Sequence, residues 1–162
     1  MSPTPLVLIV EDDESSREMY SELLGSAGYA VLVARNGDEA LRAARRHRPR
    51  VVVTDVSMPG MDGWALSRAL RKDRATSRVG IIAVTGHARD IEVERRAREE
   101  GIDVLLVKPC SPDELLGEIR KLLAPGCLPP VSARRRLARF GGLRHRSNQA
   151  PKRSEKQRPK SR

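Results

Sequence analysis

The stretch Val51-Val52-Val53-Thr54-Asp55-Val56-Ser57-Met58-Pro59-Gly60 decides the fold. A strand with one wet face alternates apolar and polar residues, whereas an unbroken β-branched run suits a strand covered on both faces. The valines therefore predict a buried strand near residues 50–55. The run then stops: Pro59 cannot donate a ladder hydrogen bond, and Gly60 and Gly63 permit tight turning. Asp55 is left at the strand's carboxyl end, beside a loop. In open α/β sheets that edge is where ligands bind. The position alone equally suits an Asp that caps the next helix or merely ends a strand.

Three further apolar runs end in the same manner. Leu6-Val7-Leu8-Ile9-Val10 leads into Glu11-Asp12-Asp13-Glu14, Ile81-Ile82-Ala83-Val84 into Thr85, and Val104-Leu105-Leu106-Val107 into Lys108-Pro109. If these strands run parallel, an acidic pair, a lone Asp, a Thr and a Lys all lie on one sheet edge. Between the strands the pattern is helical. Met19, Leu23, Leu24 and Ala27 are spaced for a helix near 14–27, which Gly28 ends. Asn36 and Glu39 resemble a capping box ahead of Ala40, Leu41, Ala43 and Ala44. Asp62 caps a segment reaching about Arg74, with Trp64, Leu66 and Leu70 available for burial. A charge-rich segment near 88–100 offers Ile91 and Ala97. Ser111-Pro112-Asp113-Glu114 opens a last helix bearing Leu115, Leu116, Ile119, Leu122 and Leu123. With Tyr29 to Ala34 as a further strand, the chain is five β-α units. Right-handed crossovers then place helices on both faces of a parallel five-stranded sheet, with expected order 2-1-3-4-5.

The motif set resembles the receiver domain of two-component response regulators, over roughly residues 5–124. The likeness rests on Glu11-Asp12, Asp55 followed by Pro59-Gly60, Thr85, and Lys108-Pro109, each at the end of its own strand. It implies a flavodoxin-like fold and a stand-alone phosphoacceptor, not an enzyme in the ordinary sense. Three nearby carboxylates repel one another and call for a cation; oxygen ligands in a small hydrated site favour Mg²⁺. By the resemblance, Asp12, Asp55 and the backbone carbonyl of Ser57 are metal ligands, and Glu11 acts directly or through water. Glu11 stands where Asp is commoner. Asp13 is an alternative carboxylate that better suits the start of the following helix. Asp55 is then the phosphoryl acceptor, Lys108 the phosphate's cation and Thr85 its hydroxyl donor, with a cis peptide before Pro109. The implied partners are a sensor histidine kinase or phosphotransfer protein and an unidentified downstream protein, reached through the fourth-helix and fifth-strand face. One departure stands out: the family's aromatic switch residue is replaced by Leu105. His87 lies near the mouth of the site or at an exposed helix start. Cys110 reads as a small buried residue before a reactive thiol.

Charge divides the 162 residues in two. Residues 1–125 hold 19 Lys and Arg against 20 Asp and Glu, a net of −1, whereas residues 126–162 hold 12 against one acid, Glu155, a net of +11. The expected organisation is a receiver domain over 1–125 and a basic tail over 126–162 with too little apolar material to order itself. The tail suggests an alternative function, a nucleic-acid-associated regulator, or contact with an acidic partner. On net charge alone, such binding belongs to the tail rather than to the domain. Two cysteines make neither a metal pattern nor a disulfide framework. With no signal peptide and no apolar run near 20 residues, the expected setting is cytoplasmic.

Overall fold

The computed structural model describes residues 4–86 and 90–126. Strands and helices alternate without exception: β1 (Leu6–Val10), α1 (Glu14–Ser26), β2 (Ala30–Ala34), α2 (Gly37–His47), β3 (Val51–Asp55), α3 (Gly63–Lys72), β4 (Gly80–Thr85), α4 (Ile91–Glu99), β5 (Val104–Val107) and α5 (Pro112–Leu123). All four pairings are parallel, in the order β2-β1-β3-β4-β5. The flavodoxin-like architecture expected from the alternating pattern is therefore the one observed. His87, the residues beyond Gly126 and the tail's expected lack of order lie outside the described residues.

The unbroken apolar runs are explained by two cores, one on each sheet face. Leu8, Val10, Val52, Ile81, Ala83 and Leu105 face α2, α3 and α4. Their neighbours Val7, Ile9, Val51, Val53, Ile82, Val84 and Leu106 face α1 and α5. Successive residues point to opposite faces, so both must be apolar when both faces are covered. Every residue of β3, the central strand, is buried.

Side-chain caps set the helix starts. Asp13, Asn36, Asp62, Asp90 and Ser111 each accept a backbone N–H from three residues on. Glu39 reaches back to the N–H of Arg35 at 3.0 Å, one residue earlier than a capping box requires, because the Arg35 guanidinium also holds it. Gly28 ends α1 in the left-handed region, at φ 87°.

Two apolar residues expected to pack do not. Ile91 is 78% exposed and Met19 53% exposed. Ile91 and Ala97 are six residues apart, about 120° short of two full helical turns, so they cannot share a face. Ala97 and Val93 take the core face of α4 instead. On α1 the buried pair is Tyr20 and Leu24, spaced i, i+4.

Gly63 couples packing to the site. A Cβ there would fall on the carbonyl oxygen of Asp55 and 2.9 Å from the Cα of Val56. The N–H of Gly63 also donates to the carbonyl of Val56 at 3.0 Å. Gly63→Ala should therefore destabilise the domain by about 1–3 kcal/mol, the usual range for overpacking. Chemical denaturation of the two proteins measures the difference.

Candidate functional site

Parallel strands bring their carboxyl ends to one edge, and the fold uses that edge as expected. Asp55 ends β3, Thr85 ends β4, Glu11 follows β1, and Lys108 follows β5. Because β3 lies between β1 and β4, Asp55 occupies the centre. Glu11 continues the ladder through its N–H to the carbonyl of Ala34. Lys108 does likewise through its N–H to the carbonyl of Thr85, at 2.7 Å. The Lys108–Pro109 peptide is cis.

The side chains converge. Lys108 Nζ lies 2.6 Å from Asp55 Oδ2 and 3.4 Å from Glu11 Oε2. The other Asp55 oxygen, Oδ1, accepts the N–H of Ser57 at 2.9 Å. Glu11, Asp12 and Asp55 each offer a carboxylate oxygen, and these lie within 4.8 Å of one another. Glu11 is 3% exposed and Asp55 9%, whereas Asp12 faces solvent. Such a cluster suits a small divalent cation: its donors are all oxygen, two are anchored in the fold, and the third opens to water. Thr85 is buried beside it. A cleft of about 1040 Å³ opens next to the site, lined by Ser57, Met58, Thr85, Trp64 and Arg96 among others.

Burial raises the Glu11 carboxyl above its ordinary range, and the Lys108 ammonium only partly opposes this. Lys108 is drawn both ways. Burial disfavours its charge, but the hydrogen bond to Asp55 and the fields of Glu11 and Asp55 prevail and raise its pKa.

Asp13 is not part of the cluster. Its carboxylate caps α1 by accepting the N–H of Ser16 at 2.7 Å. Cys110 is half-buried among the residues packed against the α1–α5 core. Tyr20 lies in the same core, its phenol pushed up to about 12 by burial and by its neighbour Cys110. Leu105 is buried on the opposite face. Sequence reasoning missed Arg17, which donates to the carbonyls of Glu11 at 2.9 Å and Asp12 at 3.2 Å and so holds the acidic loop. Its signal is weak, since an Arg one turn into a helix is ordinarily solvated. Trp64, read as a core residue, also lies 4.7 Å beneath the guanidinium of Arg96.

A parallel sheet in this order with an acidic cluster, a Thr and a Lys on its carboxyl edge defines a signalling receiver. The chain belongs to the response regulator receiver domain family, which it matches over residues 7–120. The polar-differentiation response regulator DivK of Brucella anthropi is 33% identical over 117 residues, covering 72% of this chain and 94% of that one. The chemotaxis protein CheY4 of Vibrio cholerae superposes with a TM-score of 0.70 at 34% identity, over 74% of this chain and 98% of that one. The receiver domain of a signal transduction histidine kinase from Syntrophus aciditrophicus gives 0.68 at 34% identity, over 74% and 90%. The chain is thus a two-component signalling receiver. Among the described residues no helix is long and apolar enough to cross a membrane.

The raised Glu11 carboxyl has a testable sign. The folded state holds that proton more tightly than the unfolded chain does. Its contribution to stability is full below the unfolded pKa of about 4.5 and is lost as pH rises through the higher folded value. In metal-free buffer, wild type should therefore lose melting temperature relative to Glu11→Gln across that window. Thermal melts from about pH 4 to pH 8 in a chelator check it. A constant gap between the two proteins would contradict the assignment.

Proposed function

We propose that this chain is a phosphoacceptor that takes a phosphoryl group on Asp55 in the presence of Mg²⁺ and signals by contact with other proteins. One observation carries the reading: Asp55 sits centrally on the carboxyl edge, 2.6 Å from Lys108 Nζ, among carboxylate oxygens within 4.8 Å of one another. Asp12, Asp55 and the Ser57 carbonyl would hold the ion, with Glu11 bound directly or through water. When bound, Mg²⁺ offsets the repulsion between the carboxylates and the incoming phosphate.

The remaining roles fall to side chains. A carboxylate oxygen of Asp55 forms the new bond to phosphorus as the bond to the donor's leaving group breaks. A free carboxylate is a weak nucleophile, so the reaction depends on positioning and charge. Ser57 N–H holds Oδ1, which fixes the plane of the carboxylate. Lys108 is within reach of the phosphoryl oxygens, and its ammonium offsets charge as the group transfers. The Thr85 hydroxyl would donate to one of those oxygens once the group is attached. A sensor histidine kinase or phosphotransfer protein is the proposed donor, and an unidentified downstream protein the receiver of the signal. With Leu105 buried at the switch position, the output proceeds without rotation of an aromatic side chain there. The proposed setting is the cytoplasm, where such donors act.

Incubation with a small phosphodonor and Mg²⁺, followed by intact mass, tests the central claim. Wild type should gain one phosphoryl group, and Asp55→Asn or addition of a chelator should abolish the gain. Equal labelling of wild type and variant would remove Asp55 from the role. Lys108→Ala should lower the labelling rate by about 10²-fold or more, as loss of one charge-stabilising donor does elsewhere.

The receiver is proposed to close at residue 125, since both cores are complete with α5. A chain ending at Ala124 should melt within a few degrees of the full chain and label at the same rate. Circular dichroism and intact mass measure both.

A further inference from the structure

Arg17 is the fourth residue of α1, and a helical side chain leans back toward the helix N-terminus. Its guanidinium therefore reaches the Glu11–Asp13 loop that joins β1 to α1. Nη1 donates to the carbonyl of Glu11 at 2.9 Å and to that of Asp12 at 3.2 Å. The residue is half-buried. Exposed carboxylates lie close by in sequence, at Asp13 and Glu14, yet these two hydrogen bonds go to neutral carbonyls.

The start of a helix is a poor place for a cation. Its partial positive charge disfavours a guanidinium beside it. A divalent ion held by Glu11, Asp12 and Asp55 would be repelled by the same group. A residue placed against local preference points to what its contacts do, and here they act on the loop.

In a strand, successive side chains point to opposite faces and successive carbonyls point opposite ways. The ladder of β1 continues as far as the N–H of Glu11, which donates to the carbonyl of Ala34. One nitrogen that reaches the next two carbonyls turns both to the same side. The backbone at Glu11–Asp12 thus departs from strand geometry, and two neighbouring carboxylates can converge. Their oxygens lie within 4.8 Å of each other and of one from Asp55. Asp13 closes the far end of the loop: its carboxylate accepts the N–H of Ser16, and its own N–H donates to Glu11 Oε1 at 3.3 Å. Asp55 is placed by β3 and by the N–H of Ser57 on Oδ1. Asp12, exposed and outside any strand, depends on the backbone of the loop for its place.

We propose that Arg17 is the positioning residue of the cation site. It presets the backbone of Glu11 and Asp12 so that both carboxylates meet a divalent ion, and its grip on the carbonyls outweighs the repulsion of its charge. The inference rests on the metal site proposed above. Ligands held in place before the ion arrives need no ordering when it binds. Residues that hold a metal's ligands commonly change its affinity by about 10–100-fold.

Calorimetric titration of the full chain with MgCl₂ tests the role. R17M removes the donors and the charge but keeps an apolar stem. R17K keeps the charge on a shorter side chain without the planar guanidinium. Both should bind Mg²⁺ about 10–100-fold more weakly than wild type. R45M, which removes a cation in the last turn of α2, should match wild type. In labelling with a small phosphodonor, the Mg²⁺ concentration for half-maximal rate should rise by the same factor, and the rate at saturating Mg²⁺ should stay that of wild type. Should R17M fail to fold, R17K carries the test. Tighter binding by R17M with R17K unchanged would show that the ion feels the charge and not the grip, and would overturn the proposal. So would an equal loss in R45M, or a lower melting temperature in chelator with Mg²⁺ affinity unchanged. Wild type that binds no Mg²⁺ would remove the metal site itself, and the role of Arg17 with it. Wild type that binds while R17M and R17K match it would remove the role of Arg17 alone.

Discussion

Two buried carboxylates share one ammonium. Glu11 and Asp55 both lie within 3.4 Å of Lys108 Nζ, and Asp12 adds a third acid at the surface. A single cation cannot balance them, and a buried charge left unmatched is expensive. Burial raises the Glu11 carboxyl despite Lys108 beside it, and the Asp55 charge adds a smaller push in the same direction. The site is therefore short of positive charge, as the proposed binding of a divalent cation requires. Three strands must end at the same level for this to arise. The parallel register delivers that: β1 pairs with β3, and β3 with β4, with no bulge between.

That dependence explains why so much of the fold was legible. Continuous apolar runs such as Val51–Val53 have one stable use in a domain of this size, as strands covered on both faces. Once parallel strands are accepted, the residue that stops each run must lie on the common edge. That reasoning places Asp55, Thr85, Glu11 and Lys108 on the shared edge, where the strands end. The distances themselves were not legible, because they depend on how the loops after β1, β3 and β5 close. The hold of Ser57 N–H on Asp55, the demand for a bare backbone at Gly63 and the grip of Arg17 on two carbonyls are all loop geometry. Helix faces were legible only where the stripe was dense. On α5 five apolar residues fix the face. On α4, whose residues are mostly charged, Ile91 was a false guide, because a single side chain carries no periodicity.

Net charge alone leaves out how the signs are distributed over the domain. A net of −1 over residues 1–125 suggests indifference to polyanions, but polyanions respond to local fields within about a Debye length, roughly 8–10 Å. The antiparallel run of helices against strands separates the signs. Helix starts, rich in capping acids such as Asp13, Asp62 and Asp90, gather at the carboxyl edge, and the ends of α2, α3 and α4, which carry Arg45, Arg46, Arg71, Arg96 and Arg98, gather at the other. Both preferences are local: carboxylates cap free N–H groups and cations favour the helix C-terminus. In a doubly wound sheet these local preferences add up, so ordinary capping chemistry polarises the whole domain.

This polarity bears on how phosphorylation and the basic edge relate. A phosphoryl group on Asp55 would carry about −1.5 to −2 charges in place of the carboxylate's single charge, and Lys108 and a bound divalent ion would absorb most of the change. The arginine edge lies a strand length away, beyond the distance at which surface charges act strongly at physiological salt. A direct electrostatic link between the two edges is therefore weak. Coupling, where it exists, must pass through packing. Arg71 ties the end of α3 to the carbonyls of Ser77, Val79 and Gly101 and to Asp103. It locks the entries to β4 and β5 to the helix that begins directly after the Asp55 loop. A shift of α3 would strain that lock, whose hydrogen bonds to Gly101, Ser77, Val79 and Asp103 are part-buried. The acidic edge with its proposed phosphoryl chemistry and the arginine-rich edge are thus linked only through packing.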